Sequence, residues 1–119
     1  MGCGTGAFTS KMMSFDFDIQ GVDISPESIK LAKELYPDII FTIGDIENLS
    51  FLDDESFDLI TLSGVLHHFE NITNVVSECY RLLKKDAILF AYDPNRYNPV
   101  MWLYRCKSSP FYSSKGVTP

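Results

Sequence analysis

The chain has few cysteines and no long apolar run. Cys3, Cys79 and Cys106 form neither a CxxC pair nor a cluster with histidine, so no disulfide framework and no zinc site are expected. No stretch of about 18 apolar residues could cross a membrane, and no basic segment followed by an apolar one resembles a signal peptide. These features predict a cytoplasmic protein with free thiols, unless a preceding segment carries a targeting signal.

Positive charge is also scarce in this sequence. Lysine and arginine number 10 against 16 aspartates and glutamates, which gives a formal net charge of -6. Such a chain repels nucleic acid, so the predicted partner is a small molecule. The 119 residues are 45% hydrophobic and 13% aromatic, which is enough to form the core of one modest domain.

Segments that predict strands alternate with segments that predict helices. Strands are predicted at residues 18–24, 39–43, 57–62 and 87–92. Helices are predicted at 7–13, from Pro26 to Pro37 with Ser25 as N-cap, and at 96–106. Another helix is predicted from a cap at Asn71 or Thr73 to Leu83, with Lys84 and Lys85 at its negative end. This alternation predicts parallel βαβ units, and the apolar strands indicate a sheet covered on both faces. In such sheets ligands bind at the carboxyl ends of the strands.

A glycine-rich loop precedes the first predicted helix. Gly2, Gly4 and Gly6 alternate with small residues. Glycine lets the backbone turn tightly and approach a ligand closely, and the positive end of the following helix points the same way. The pattern is typical of loops that bind the polar part of a nucleotide-like cofactor. It also predicts a strand directly before the loop, for which the 119 residues leave no room.

Carboxylates follow two of the predicted strands. Asp23 lies about 20 residues beyond the first glycine, where a carboxylate can accept hydrogen bonds from ribose hydroxyls. The alternative is an exposed residue that caps the next helix. Asp45 suits an exocyclic adenine amine, with Ile24 or Ile46 against the ring, and its alternative role is that of a turn residue.

Five motifs in this order resemble the class I S-adenosylmethionine-dependent methyltransferases. They are Gly2–Gly6, Gly21–Ser25, Gly44–Ile46, the run from Phe57 to Phe69, and Leu82–Lys84. The similarity covers roughly residues 1–95. It implies an α/β fold, a Rossmann-like three-layer sandwich with a mostly parallel sheet, incomplete because the first strand is missing. Residues 1–95 would be a partial S-adenosylmethionine-binding domain, and residues 96–119 a substrate-side helix and irregular tail.

The resemblance implies S-adenosylmethionine as cofactor and methyl transfer to an unidentified small-molecule acceptor. It places the glycine loop against the methionine part of the cofactor, the first carboxylate at the ribose and the second at the adenine. The implied cofactor-binding residues are Gly2, Cys3, Gly4, Gly6, Asp23, Ile24, Asp45, Ile46 and Ser63. No metal is implied.

His67 and His68 are the candidate catalytic residues. Transfer from a sulfonium needs mainly alignment, and a general base helps only a weak nucleophile such as a hydroxyl. The alternative is that both histidines pack and hydrogen-bond within the loop after the third strand. A second group, either part of an acceptor pocket or an ordinary capped loop, is Asp93, Asn95, Arg96 and Tyr97.

Two other functions compete with methyl transfer. The glycine loop also fits the fingerprint of an NAD-dependent oxidoreductase, in which Asp23 would serve equally well. That hypothesis leaves Asp45 and the histidine pair unexplained. A non-catalytic scaffold fragment is the other alternative, because the strand that is missing is central in the family. The strands that end near Asp23 and Leu62 would then have to meet directly, or another chain, as in a homodimer, would fill the gap.

Overall fold

The computed structural model describes residues 1–93, which contain three α-helices and four strands. In chain order they are α1 (Ala7–Met12), β1 (Gln20–Asp23), α2 (Pro26–Leu35), β2 (Ile40–Ile43), β3 (Phe57–Ser63), α3 (Thr73–Leu82) and β4 (Leu83–Tyr92). Single 3-10 turns lie at Met13–Phe15 and Leu66–His68. The helix predicted at 96–106 and residues Asn95, Arg96 and Tyr97 lie outside the described residues, so the predicted division of the chain at residue 95 stays a prediction.

Helix α2 begins where the sequence predicts. Ser25 is its N-cap, with the hydroxyl oxygen accepting the N–H of Ser28 at 3.1 Å, and Pro26 takes the first helical position. The inner face of α2 packs on β2, and the buried cluster that results contains Ile29, Ala32, Ile39 and Phe41. This packing fixes the first βαβ unit and brings the ends of β1 and β2 side by side.

Helix α3 buries one face against the other part of the core. Val75, Cys79 and Leu82 are buried and lie three to four residues apart, as one helical face requires. Neither predicted cap, Asn71 or Thr73, is the N-cap, because that position is taken by Ile72, which makes no side-chain capping bond. Asn71 lies one residue earlier, and its side-chain oxygen accepts the N–H of Thr73 at 2.9 Å.

The prediction that Lys84 and Lys85 sit at the end of this helix is wrong. Helix α3 ends at Leu82 and the chain passes directly into β4, so both lysines belong to the strand. The ammonium of Lys84 lies 2.8 Å from the carboxylate of Asp58 on the neighbouring strand.

The strands form two parallel ladders, β1 with β2 and β3 with β4. Residues 1–3 lie between the ladders, because the nitrogen of Cys3 donates to the carbonyl of Val22 at 3.0 Å and that of Met1 to the carbonyl of Thr61 at 2.7 Å. A cavity of about 70 Å³ lies beside Met1, lined by β1 and β3. The prediction that the strands ending near Asp23 and Leu62, β1 and β3, would pair directly is therefore wrong for residues 1–93.

Coverage of the sheet differs between its strands. Ile60 and Leu62 of β3 are buried, as expected for a strand between two layers. Strand β4 is not covered on both faces as predicted, since Ile88 is 63% exposed and Phe90 49% exposed. The reason is its position, because within residues 1–93 it pairs only with β3 and forms an edge. Among the described residues, no helix has the length and apolar character that crossing a membrane requires.

Candidate functional site

The glycine loop leads into α1 and lies against the end of β1, where the N–H of Cys3 donates to the carbonyl of Val22. Gly4 has a φ of 51°, a left-handed conformation that favours glycine, and a Cβ atom there would meet no atom within 4 Å. Gly6 also has a left-handed φ, of 82°, but a Cβ there would lie 2.7 Å from the ring of Phe41. Gly4 therefore borders open space, whereas Gly6 allows close packing on the core.

Asp23, the last residue of β1, holds this loop in place. One carboxylate oxygen accepts the N–H of Gly4 at 2.7 Å, and the other accepts the N–H of Ser25 at 3.0 Å. A carboxylate has about four lone-pair positions, so each oxygen can accept a further hydrogen bond. The contact with Ser25, the N-cap of α2, agrees with the alternative role of Asp23 at the start of that helix. Sequence reasoning missed the contact with Gly4.

The main cleft lies where the carboxyl ends of the strands meet, and has a volume of about 480 Å³. Its lining residues are Gly2, Gly4, Asp23, Ile24, Asp45, Ile46, Glu47, Gly64, Val65, His68 and Phe69. Most of the predicted cofactor-binding residues are in this set, and both carboxylates predicted to contact the cofactor face the same cleft. Ile24 is 67% exposed, which leaves an apolar side chain available on the cleft wall.

A second cleft, of about 280 Å³, adjoins the first across the glycine loop. It shares Gly2 and Gly4 with the main cleft and is also lined by Cys3 and Ser63. Burial, together with the nearby Asp23 carboxylate, raises the pKa of the Cys3 thiol to about 11. The thiol is therefore protonated at neutral pH and can line the cleft but does not act as a nucleophile.

Asp45 lines the main cleft and also forms the turn that is its alternative role. Its side-chain oxygen accepts the N–H of Glu47 at 2.9 Å, and its carbonyl accepts the N–H of Asn48 at 2.9 Å. Glu47 lines the same cleft and accepts a hydrogen bond from the side chain of Asn74 at 3.2 Å. Sequence reasoning missed Glu47, although its place directly after Ile46 was a usable signal.

The two histidines occupy the 3-10 turn after β3 but have different surroundings. One carboxylate oxygen of Asp93 lies 2.7 Å from Nδ1 of His67 and accepts the N–H of His67, and the other oxygen accepts the N–H of Leu66. Burial raises the pKa of Asp93, but these hydrogen bonds more than offset it, so the pKa is lowered. His68 lines the main cleft, whereas His67 is not among the lining residues.

Comparison with known proteins identifies the family. Residues 1–91 match the family described as "Methyltransferase domain". That match covers more than half of the chain, and the chain belongs to this methyltransferase domain family. The fold is the Rossmann-like α/β fold of these proteins, as the sequence predicts. Membership favours methyl transfer over hydride transfer.

The names of curated relatives refer to ubiquinone biosynthesis and to demethylmenaquinone. The chain is 29% identical over 100 residues to the ubiquinone biosynthesis O-methyltransferase of Xanthomonas oryzae pv. oryzae (strain PXO99A), covering 81% of this chain and 42% of that protein. It is 31% identical over 100 residues to the demethylmenaquinone methyltransferase of Chlorobaculum parvum, covering 82% and 41%. The chain thus spans less than half the length of these relatives.

Solved structures give the same result for the fold. A Pyrococcus horikoshii protein superposes with a TM-score of 0.79 at 28% identity, covering 87% of this chain and 48% of that one. A SAM-dependent methyltransferase from Archaeoglobus fulgidus superposes with a TM-score of 0.73 at 25% identity, with the same two coverages.

Proposed function

We propose that this chain forms the cofactor-binding part of an S-adenosylmethionine-dependent methyltransferase with a small-molecule acceptor. The observation that carries the proposal is that Asp23, Asp45 and the glycine loop line one cleft. The names of the relatives favour a quinone precursor as the acceptor. Since those relatives are more than twice as long as the matched part, the activity is proposed for the protein in which this domain works.

The donor groups of the cleft fit such a cofactor. The free lone pairs of Asp23 suit two ribose hydroxyls, and the carboxylate of Asp45 suits an exocyclic amine. Ile24 and Ile46 offer apolar contact for the adenine ring, and the open space at Gly4 admits the methionine part, with Cys3 and Ser63 beyond the loop. The cofactor supplies a sulfonium methyl that is already electrophilic, so these residues mainly bind and orient it.

The two histidines then have different roles. His68 lines the cleft and is the proposed general base for a hydroxyl acceptor. His67 is a positioning residue, because its ring is paired with Asp93 and its centroid lies 4.1 Å from that of His68. The division supports the view that part of the histidine pair serves the scaffold.

The replacement Asp23→Asn tests the proposed cofactor site. We expect wild-type protein to bind S-adenosylhomocysteine, and the variant to bind about 10- to 100-fold more weakly because a charged acceptor is lost. Isothermal titration calorimetry measures both dissociation constants. The matched control is Asp38→Asn, which changes an exposed carboxylate remote from the cleft and should leave affinity unchanged. An unchanged constant for Asp23→Asn, or thermal stabilisation by NADH but not by S-adenosylhomocysteine, would refute the proposal.

A further inference from the structure

The loop that follows β2, residues 44–56, carries one wall of the main cleft. It contributes Asp45, Ile46 and Glu47 to the lining. The loop has only one isolated bridge of its own, between Asp45 and Asn48, and no helix or longer strand. Something outside the loop must therefore fix its position, because an irregular segment has little intrinsic rigidity.

Glu78 and Arg81, one turn apart on α3, supply that support through the backbone of Leu49. A carboxylate oxygen of Glu78 accepts the N–H of Leu49 at 2.7 Å, and the guanidinium of Arg81 donates to the carbonyl of Leu49 at 3.0 Å. Both backbone groups of one fully buried residue are thus bound by one pair of side chains.

The two side chains also bind each other in a forked geometry. The Nε and Nη2 atoms of Arg81 lie 3.1 and 2.6 Å from the two carboxylate oxygens of Glu78. The guanidinium further donates to the carbonyl of Leu52 at 2.9 Å and to the carboxylate of Asp54. The hydrogen bond from Arg81 lowers the pKa of Glu78 in spite of its burial, so the pair is ionised at neutral pH.

A short chain of contacts leads from Leu49 to the cleft. The preceding residue, Asn48, donates its N–H to the carbonyl of Asp45 and pairs with it in the bridge. Ile46, between them, is buried in the same core cluster as Leu49. A displacement of Leu49 therefore moves the side chains of Asp45 and Ile46 relative to the tip of β1.

We propose that Glu78 and Arg81 are positioning residues of the cofactor site, which hold the 44–56 loop so that Asp45 and Ile46 recognise the adenine base. Neither side chain lines the cleft, so both act through the backbone of Leu49. This inference rests on the proposed function, because it assigns a purine to the wall formed by Asp45.

The test compares two ligands that differ only at the base, S-adenosylhomocysteine and S-inosylhomocysteine. Inosine has a carbonyl in place of the exocyclic amine, so the Asp45 carboxylate should reject it in wild-type protein. In Glu78→Gln and in Arg81→Lys we expect the ratio of the two dissociation constants to fall about tenfold, as for the loss of one charge-assisted hydrogen bond. Both substitutions keep similar size, and Arg81→Lys removes the fork but not the charge.

Lys84→Gln is the matched control, since it removes another ion pair, that with Asp58, which touches neither the loop nor the cleft. Its ratio should equal that of wild type. A variant that is merely less stable would bind both ligands more weakly by the same factor, so the ratio would not change. An unchanged ratio in both Glu78→Gln and Arg81→Lys would overturn this inference alone. Wild-type protein that binds S-adenosylhomocysteine without preference for adenine would also overturn it. Absence of any binding by wild type would overturn the proposed function as well.

Discussion

Asp93 joins the end of β4 to the turn that follows β3. Its carboxylate accepts two backbone N–H groups and lies 2.7 Å from Nδ1 of His67, while its side chain is only 20% exposed. Hydrogen bonds of this kind stabilise the ionised carboxylate more than the protonated form. The residue therefore fixes the turn that carries His68 to the cleft.

The lowered pKa of Asp93 predicts a stability that depends on pH. A carboxyl whose pKa is lower in the folded state stabilises above its unfolded pKa, near 3.9, and this contribution disappears as the pH falls through the folded pKa. Asp93→Asn should therefore lower the free energy of unfolding by about 1 kcal/mol at pH 6 and by much less at pH 2.5. Urea denaturation at both pH values measures the difference. A loss of equal size at both values would contradict this role.

At the scale of elements, the parallel pair of β1 and β2 includes a close contact between a ring and the backbone. A Cβ atom at Gly21 would lie 2.5 Å from the ring of Phe41, its partner in the ladder, and one at Gly6 would lie 2.7 Å from the same ring. The glycine loop and strand β1 thus both pack on the ring of Phe41. Glycine inside a strand often marks such an approach.

Gly21→Ala should lower the free energy of unfolding by about 1–3 kcal/mol, because the added methyl overpacks this site. The double variant Gly21→Ala with Phe41→Leu should recover part of that loss, since leucine leaves room for the methyl group. A double-mutant cycle by urea denaturation measures the coupling. Strictly additive losses would mean that the two residues do not compete for space.

The sequence predicted this level of structure well where local chemistry decides. The cap at Ser25 and the carboxyl ends of β1 and β2 follow from spacing and residue type. It failed where tertiary contacts decide, as at Lys84, which continues a strand that packs on β3. Asp86 illustrates the same limit, because its left-handed φ of 64° depends on the irregular register between β3 and β4.

In the molecule as a whole, the two parallel ladders share one cleft and are linked by residues 1–3. Spacing along the chain predicted which strand ends carry Asp23 and Asp45, but not how residues 1–3 hydrogen-bond to both ladders. Nor did it indicate the Glu78–Arg81 support, because hydrogen bonds to the backbone of a distant loop leave no periodic pattern. The sheet thus brings the residues of the site together, and side chains of the packed helix α3 support the loop behind it.

A ligand that spans the cleft should stabilise both ladders together. The main cleft is lined by residues at the ends of β1 and β2 and after β3, and Val22, Ile60 and Leu62 lie in one core cluster. At about 100 times its dissociation constant, S-adenosylhomocysteine should add about 2.7 kcal/mol to the free energy of opening for amides that exchange only by global unfolding. Hydrogen exchange measured by NMR should show this protection in β1 and in β3 alike. Protection confined to one ladder would mean that the ligand contacts only one wall, and that the two ladders open independently.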